Sequence, residues 1–161
     1  QMEKNTYHHQ ESKDCFISLH DCRAEKIMYN HGVLSFVFPN GFWVSPQHPE
    51  NHSDTVVRTD LSQVDYRILD EPFCKIEISV FRKTFGKKVF RESWEIEEFI
   101  NAVNSGTFQL EFVTQYKNFE SILHKCYIWF DKRPYYRECE IILPTQEAVY
   151  HWNGLRYDAK W

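Results

Sequence analysis

The sequence predicts an α+β fold: mostly antiparallel strands, as a sandwich or strongly curled sheet, with one principal helix at about residues 94–104. Three observations predict it. Residues 74–80 alternate Cys74, Ile76, Ile78 and Val80 against Lys75, Glu77 and Ser79, the period of two of a strand with one buried face. Ile96, Phe99, Ile100 and Val103 recur at i, i+3, i+4 and i+7, the stripe of an amphipathic helix. Aromatic residues make up 17% of the chain and only 5 residues are glycine, a composition that suits large half-buried sheets. An apolar helix stripe and an apolar sheet face must each be covered, so the two are expected to share a core. Ile76, Ile78, Val80, Phe99, Ile100, Val103, Phe108, Leu110, Phe112, Ile128 and Ile141 are its expected members.

In chain order, residues 1–14 are polar, contain His8-His9, and read as an N-terminal tail ahead of a single domain at 15–161. Gln1 precedes Met2, so Met2 is the expected start of translation. A short apolar run, Cys15–Leu19, leads to a continuous strand over Arg23–Tyr29, with Ile27 and Tyr29 on one side and Ala24, Lys26 and Met28 on the other. Asn30-His31-Gly32 and Asn40-Gly41 are turns, because Asn and Gly tolerate positive φ. Between them, Leu34, Phe36 and Phe38 share one strand face. Residues 45–54 hold Pro46, Pro49, His48 and His52 without apolar period and read as a solvated loop. Thr55–Arg58 and Val64–Leu69 are short strands.

Gly86 turns the strand at 74–80 back into Val89–Trp94, and Ser93 is the expected N-cap of the helix. Asn104-Ser105-Gly106 stops it, and Phe108, Leu110 and Phe112 resume strand alternation. Ile122–Phe130 carries large residues on both faces and reads as a central strand. Residues 131–134 are a turn, Tyr135–Leu143 and Ala148–Trp152 are strands, and Asn153-Gly154 is a final turn.

The formal net charge of −4 over 161 residues gives no general attraction to nucleic acid or anionic membrane. No apolar run is long enough to span a bilayer, and no membrane partner is expected. Cys15, Cys22, Cys74, Cys126 and Cys139 are odd in number and form no Cys-x-x-Cys pair. That pattern predicts free thiols in a reducing cytoplasm, with all but Cys15 inside strands.

No motif specifies a chemistry. His20-Asp21-Cys22 joins three residue types of metal and acid–base sites. Consecutive strand residues point to opposite faces, however, so backbone hydrogen bonding is the expected role of His20 and Asp21. His48 and His52 stand i, i+4 apart, but the prolines deny them a helix. No catalytic residue, cofactor or metal is therefore assigned.

Two surfaces are candidates for a partner. The turn from Arg82 to Arg91 interleaves Lys83, Lys87 and Lys88 with Phe81, Phe85 and Phe90. Such a pattern can grip phosphates and stack on bases, although lysines also guard strand edges against association. Tyr136, Tyr150 and Trp152 belong to a dense aromatic C-terminal region that also holds Tyr127 and Trp129; tyrosine and tryptophan dominate binding hot spots.

Leu19-His20-Asp21-Cys22, Ile27, a turn, then Leu34–Phe38 and Asn40-Gly41-Phe42 resemble the opening of small bacterial β-rich proteins, some grouped with the immunity proteins of toxin systems. The resemblance covers Leu19 to about Val44. It implies a non-catalytic, cytoplasmic, protein-binding role and supplies no catalytic residues. The expected partner is a protein or a second copy of the chain, as a homodimer. Nucleic acid or another acidic partner at the basic hairpin is the first alternative, and a hydrolase using His20, Asp21, His124 or His151 with a cysteine is the second.

Overall fold

The structure, a computed structural model, describes residues 6–161. In chain order the elements are β1 (His9–Glu11), a 3-10 turn (Asp14–Phe16), β2 (Ile17–Ser18), β3 (Cys22–Ala24), β4 (Lys26–Asn30), β5 (Val33–Phe38), β6 (Trp43–Val44), β7 (Val57–Thr59), β8 (Ser62–Arg67), β9 (Glu77–Lys83), β10 (Val89–Trp94), α1 (Ile96–Asn104), β11 (Gln109–Lys117), β12 (Ser121–Trp129), β13 (Tyr136–Pro144), β14 (Ala148–Trp152) and β15 (Leu155–Lys160). Every strand pairing is antiparallel, so the chain is α+β with one α-helix among the described residues. No helix among them is long and apolar enough to cross a membrane.

Three sheets form. The largest runs β10-β9-β13-β12-β11-β3, the second β1-β14-β8-β5-β4, and a small third β15-β7-β6-β2. The two larger sheets face each other across the core: Phe36 and Phe38 of β5 meet Phe112 of β11, with ring centroids 5.2 and 5.4 Å apart. Alternation decides which side chains enter it. Ile122, Cys126 and Ile128 of β12 point inward and are buried, as are Cys139, Ile141 and Leu143 of β13. Helix α1 adds Phe99 and Val103, and Phe99 packs on Phe108 at 5.5 Å. Ile76 and Ile100 are only partly buried at the margin; the other nine expected core residues are fully inside.

Helix α1 lies along β4, the outer strand of the second sheet. There the Asn104 amide accepts from the Ile27 N–H (2.8 Å) and donates to the Ile27 carbonyl (2.9 Å). One side chain thus does at that edge what a residue of a neighbouring strand would do, and it blunts an edge that is otherwise open to pairing.

Several elements differ from expectation. The single strand over Arg23–Tyr29 is two, because the chain passes from one large sheet to the other at Glu25. Ala24 and Ile27, on opposite sides of one strand by spacing, are consequently both buried at 1% exposure. The helix starts at Ile96 with Glu95 as its N-cap, not Ser93, because Ser93 and Trp94 are paired with Ser79 and Ile78 in the β9–β10 ladder. Cys74 lies in a turn before β9, its N–H bonded to the Glu71 carbonyl. β7 and β8 begin and end about two residues from the expected bounds, and β15 follows the Asn153-Gly154 turn to pair with β7.

The loop at 45–54 is ordered by its own side chains. Asn51 donates to the carbonyls of Val44 and Thr55 and is buried, and His48 Nδ1 accepts from the Glu50 N–H with its ring edge against Trp152. The described part of the polar tail also joins the domain: β1 adds to β14, and His9 stacks on Trp152 at 5.4 Å. Residues 1–5 of that tail lie outside the described residues.

Candidate functional site

The antiparallel register brings one of the two expected surfaces and part of the other together. Cys139 of β13 stands opposite Val80 of β9. Counting outward along both strands sets Tyr136 at the level of Lys83. The two residues border the same groove, about 350 Å³, with Phe81, Arg82, Pro134 and Arg137. Tyr136 also packs against Trp129 (5.4 Å) and Tyr127 (5.5 Å) on the solvent side of the largest sheet, and Arg23 lies over Trp129 at 5.5 Å.

Tyr150 and Trp152 are not part of this surface. They alternate with Val149 and His151 on β14, point inward, and are 0% and 1% exposed. They are core residues packed edge-on against Phe42. Tyr127 and Trp129 face outward instead, because the inward positions of β12 are taken by Ile122, His124, Cys126 and Ile128. Both faces of β12 carry large residues, so periodicity alone could not tell its inner face from its outer one.

At the tip of the β9–β10 hairpin Gly86 has φ +96° and Lys87 φ +65°, and Thr84 and Lys88 close the turn with a 2.9 Å backbone hydrogen bond. The side chains there are solvated: Phe85 is fully exposed, and Val89, Phe90 and Tyr135 are about half exposed. The arginines are already engaged. Arg82 lies over Phe90 and 3.5 Å from Glu92, while Arg91 lies over Phe81 and 4.0 Å from Glu140. Lys83, Lys87 and Lys88 make no ion pair among the described residues. Three uncompensated ammonium groups thus surround exposed aromatic rings on a chain of net negative charge.

The acid–base candidates are scattered over the molecule. His20 donates from Nδ1 to the Val113 carbonyl at 2.7 Å, and its Nε2 is 3.4 Å from the Asp21 carboxylate. Asp21 has φ +55°, and its N–H bonds to the Phe112 carbonyl. Cys22 points into the core, where burial pushes its thiol up to about 12. Burial raises the Cys126 thiol and takes that of Cys139 to about 12, leaving all three protonated and poor as nucleophiles. His124 is fully buried, shares a 2.7 Å hydrogen bond with the Tyr66 hydroxyl, and is held neutral by burial down to about pH 3.

His151 lies on the outer face of the second sheet, where its Nε2 donates to Asp65 at 2.9 Å. Burial raises the Asp65 carboxyl, but hydrogen bonds from His151, Ser35 and Gln63 outweigh it and leave the group below its usual range. His20 and His124 border one cavity, and Cys126 and Cys139 border another. No group of three or more His, Cys, Asp or Glu among the described residues is arranged to hold a metal ion.

No protein family, curated protein or solved structure matches the chain.

Proposed function

We propose that this chain is a non-catalytic protein-binding module that docks an acidic partner on the end of its largest sheet. The surface consists of the β9–β10 hairpin and the adjoining 131–136 turn. The observation that carries the reading is the convergence of Lys83 and Tyr136 on one groove, beside Lys87, Lys88 and the exposed ring of Phe85. Uncompensated lysines favour an acidic surface and speed its encounter, while the aromatic rings supply contact area that salt does not screen. The role agrees with the one implied by the resemblance of Leu19–Val44 to immunity-type proteins. Five free cysteines suit the cytoplasm, the location that belongs to this reading.

Single-stranded nucleic acid is the second reading, favoured by one observation: Phe85 and Phe90 alternate with unpaired lysines, as in surfaces that stack bases and neutralise phosphates. The net charge of −4 weighs against it.

The test is affinity capture from a bacterial lysate at low and high salt, with wild type, a Lys83→Glu/Lys87→Glu/Lys88→Glu variant and a Phe85→Ser/Phe90→Ser variant. A protein held by wild type at both salts and lost by both variants supports the proposal. If that protein is the chain itself, sedimentation identifies the partner as a second copy. Nucleic acid recovered at low salt alone replaces the proposal with the second reading, and equal capture by all three forms refutes both.

A further inference from the structure

Strands β9 and β13 are joined only where Cys139–Ile142 stand opposite Val80–Glu77. Both strands continue further. β9 runs on to Lys83, still paired with β10, and β13 begins at Tyr136, already paired with β12. The last three residues of β9 and the first three of β13 are therefore not joined to each other, and these residues, with Pro134, line the groove of about 350 Å³. The groove is a cleft between two strand edges, inside the size range of ligand sites.

Hydrogen-bond alternation decides which backbone groups enter the cleft. The Thr84 N–H donates to the Lys88 carbonyl, so at the next pair, Lys83 with Val89, the backbone groups of Lys83 turn away from β10. The Phe130 N–H donates to the Tyr135 carbonyl, so at the next pair, Trp129 with Tyr136, the backbone groups of Tyr136 turn away from β12. The N–H and C=O of Lys83 and Tyr136 thus point into the cleft, as edges open to a further strand.

Side chains put positive charge on both faces of the cleft. Arg82 and Arg137 lie on one face, Lys83 and Tyr136 on the other. The two arginines share one carboxylate, that of Glu92, at 3.5 and 3.8 Å. Arg137 Nε is buried without a hydrogen-bond partner, and Lys83 makes no ion pair among the described residues. Glu138 is the one carboxylate on the wall itself.

We propose that this cleft takes a short extended segment of the acidic partner. The main chain of the segment bonds to the open N–H and C=O groups of Lys83 and Tyr136, and its successive acidic side chains meet Arg137 on one face and Lys83 on the other. The three unjoined levels of the strands give it about 10 Å, enough for about three residues. The proposal rests on the reading of this end of the sheet as the docking surface for an acidic protein. A folded acidic surface would use the charges alone, whereas an extended segment also uses the backbone.

The probe is tetraglutamate, acetylated and amidated at its ends. One control is the same peptide with N-methylated amides, which keeps the charge but lacks main-chain donors. The other is tetraglutamine, which keeps the donors but lacks the charge. NMR of the full chain follows the backbone N–H groups of Lys83 and Tyr136. Saturable shifts at both are expected with tetraglutamate, and binding at least about tenfold weaker with either control. Lys83→Gln, at an exposed position, and Arg137→Gln should each weaken tetraglutamate about threefold or more. If Arg137→Gln does not fold, Lys83→Gln and the two controls decide. Equal binding of the methylated peptide overturns the extended segment and leaves the acidic docking surface standing, whereas equal binding of tetraglutamine overturns both. Wild-type affinity in Lys83→Gln, shifts that miss Lys83 and Tyr136, or shifts that stay linear to the solubility limit of tetraglutamate overturn the extended segment.

Discussion

Replacing Asn104 by Ala should loosen the seam between α1 and β4. The Asn104 amide makes two hydrogen bonds to one residue, accepting from the Ile27 N–H at 2.8 Å and donating to the Ile27 carbonyl at 2.9 Å. Each neutral hydrogen bond contributes about 1 kcal/mol net, and a donor or acceptor stranded away from water costs roughly 1–3 kcal/mol. Ile27 is 1% exposed, so water reaches its backbone poorly once the amide is gone. The expected loss is about 2–3 kcal/mol, read as a lower urea midpoint at unchanged slope. Asn104→Asp keeps an acceptor for the Ile27 N–H but presents no donor to the carbonyl, so it should not restore stability. Ser105→Ala removes one exposed hydrogen bond to the Ala102 carbonyl and should cost less than about 0.5 kcal/mol. An Asn104→Ala loss no larger than that of Ser105→Ala would refute the idea that this side chain closes the β4 edge.

Phe99→Ala should cost about 3–5 kcal/mol in the same assay, since Phe99 is 1% exposed between Trp94 and Phe108; a loss under about 1 kcal/mol would mean that the helix does not cover the core. Gly41→Ala should cost at least about 2 kcal/mol, because φ is +75° and a Cβ there would stand 2.1 Å from the Thr59 carbonyl oxygen. Gly86→Ala, with φ +96° but no atom within 4 Å, should cost clearly less. Burial lowers the His124 pKa from 6.5 to about 3, so between those values the unfolded chain binds a proton that the folded chain refuses. The His124 contribution is present above pH 6.5 and is lost as pH falls towards 3, with a slope of at most about 1.4 kcal/mol per pH unit. Denaturation at pH 7, 6 and 5 should show a shallower acid-side decline in His124→Gln than in wild type; parallel curves would contradict this origin.

Local pattern determined much of this protein. The alternation at 76–80 and the stripe from Ile96 to Val103 are properties of neighbouring residues, and they specified a half-buried strand and the helix without knowledge of their partners. The turn at Asn40-Gly41 was equally legible, because the positive φ there is a local demand that glycine meets. The free state of the cysteines agrees with their spacing.

Tertiary structure decided the rest. Periodicity reports that a strand has two unlike faces, but not where the chain changes layer, so Ala24 and Ile27 came to share a core only through the switch at Glu25. Aromatic residues suit a core and a binding surface equally well. Their assignment rests on which sheet face meets the other sheet: Tyr150 and Trp152 went inside, while Tyr127, Trp129 and Tyr136 stayed outside. Tyr136 and Lys83 are 53 positions apart in the chain and border one groove because β13 pairs with β9. Strand order is set by contacts between distant residues, and no local window of the sequence contains them.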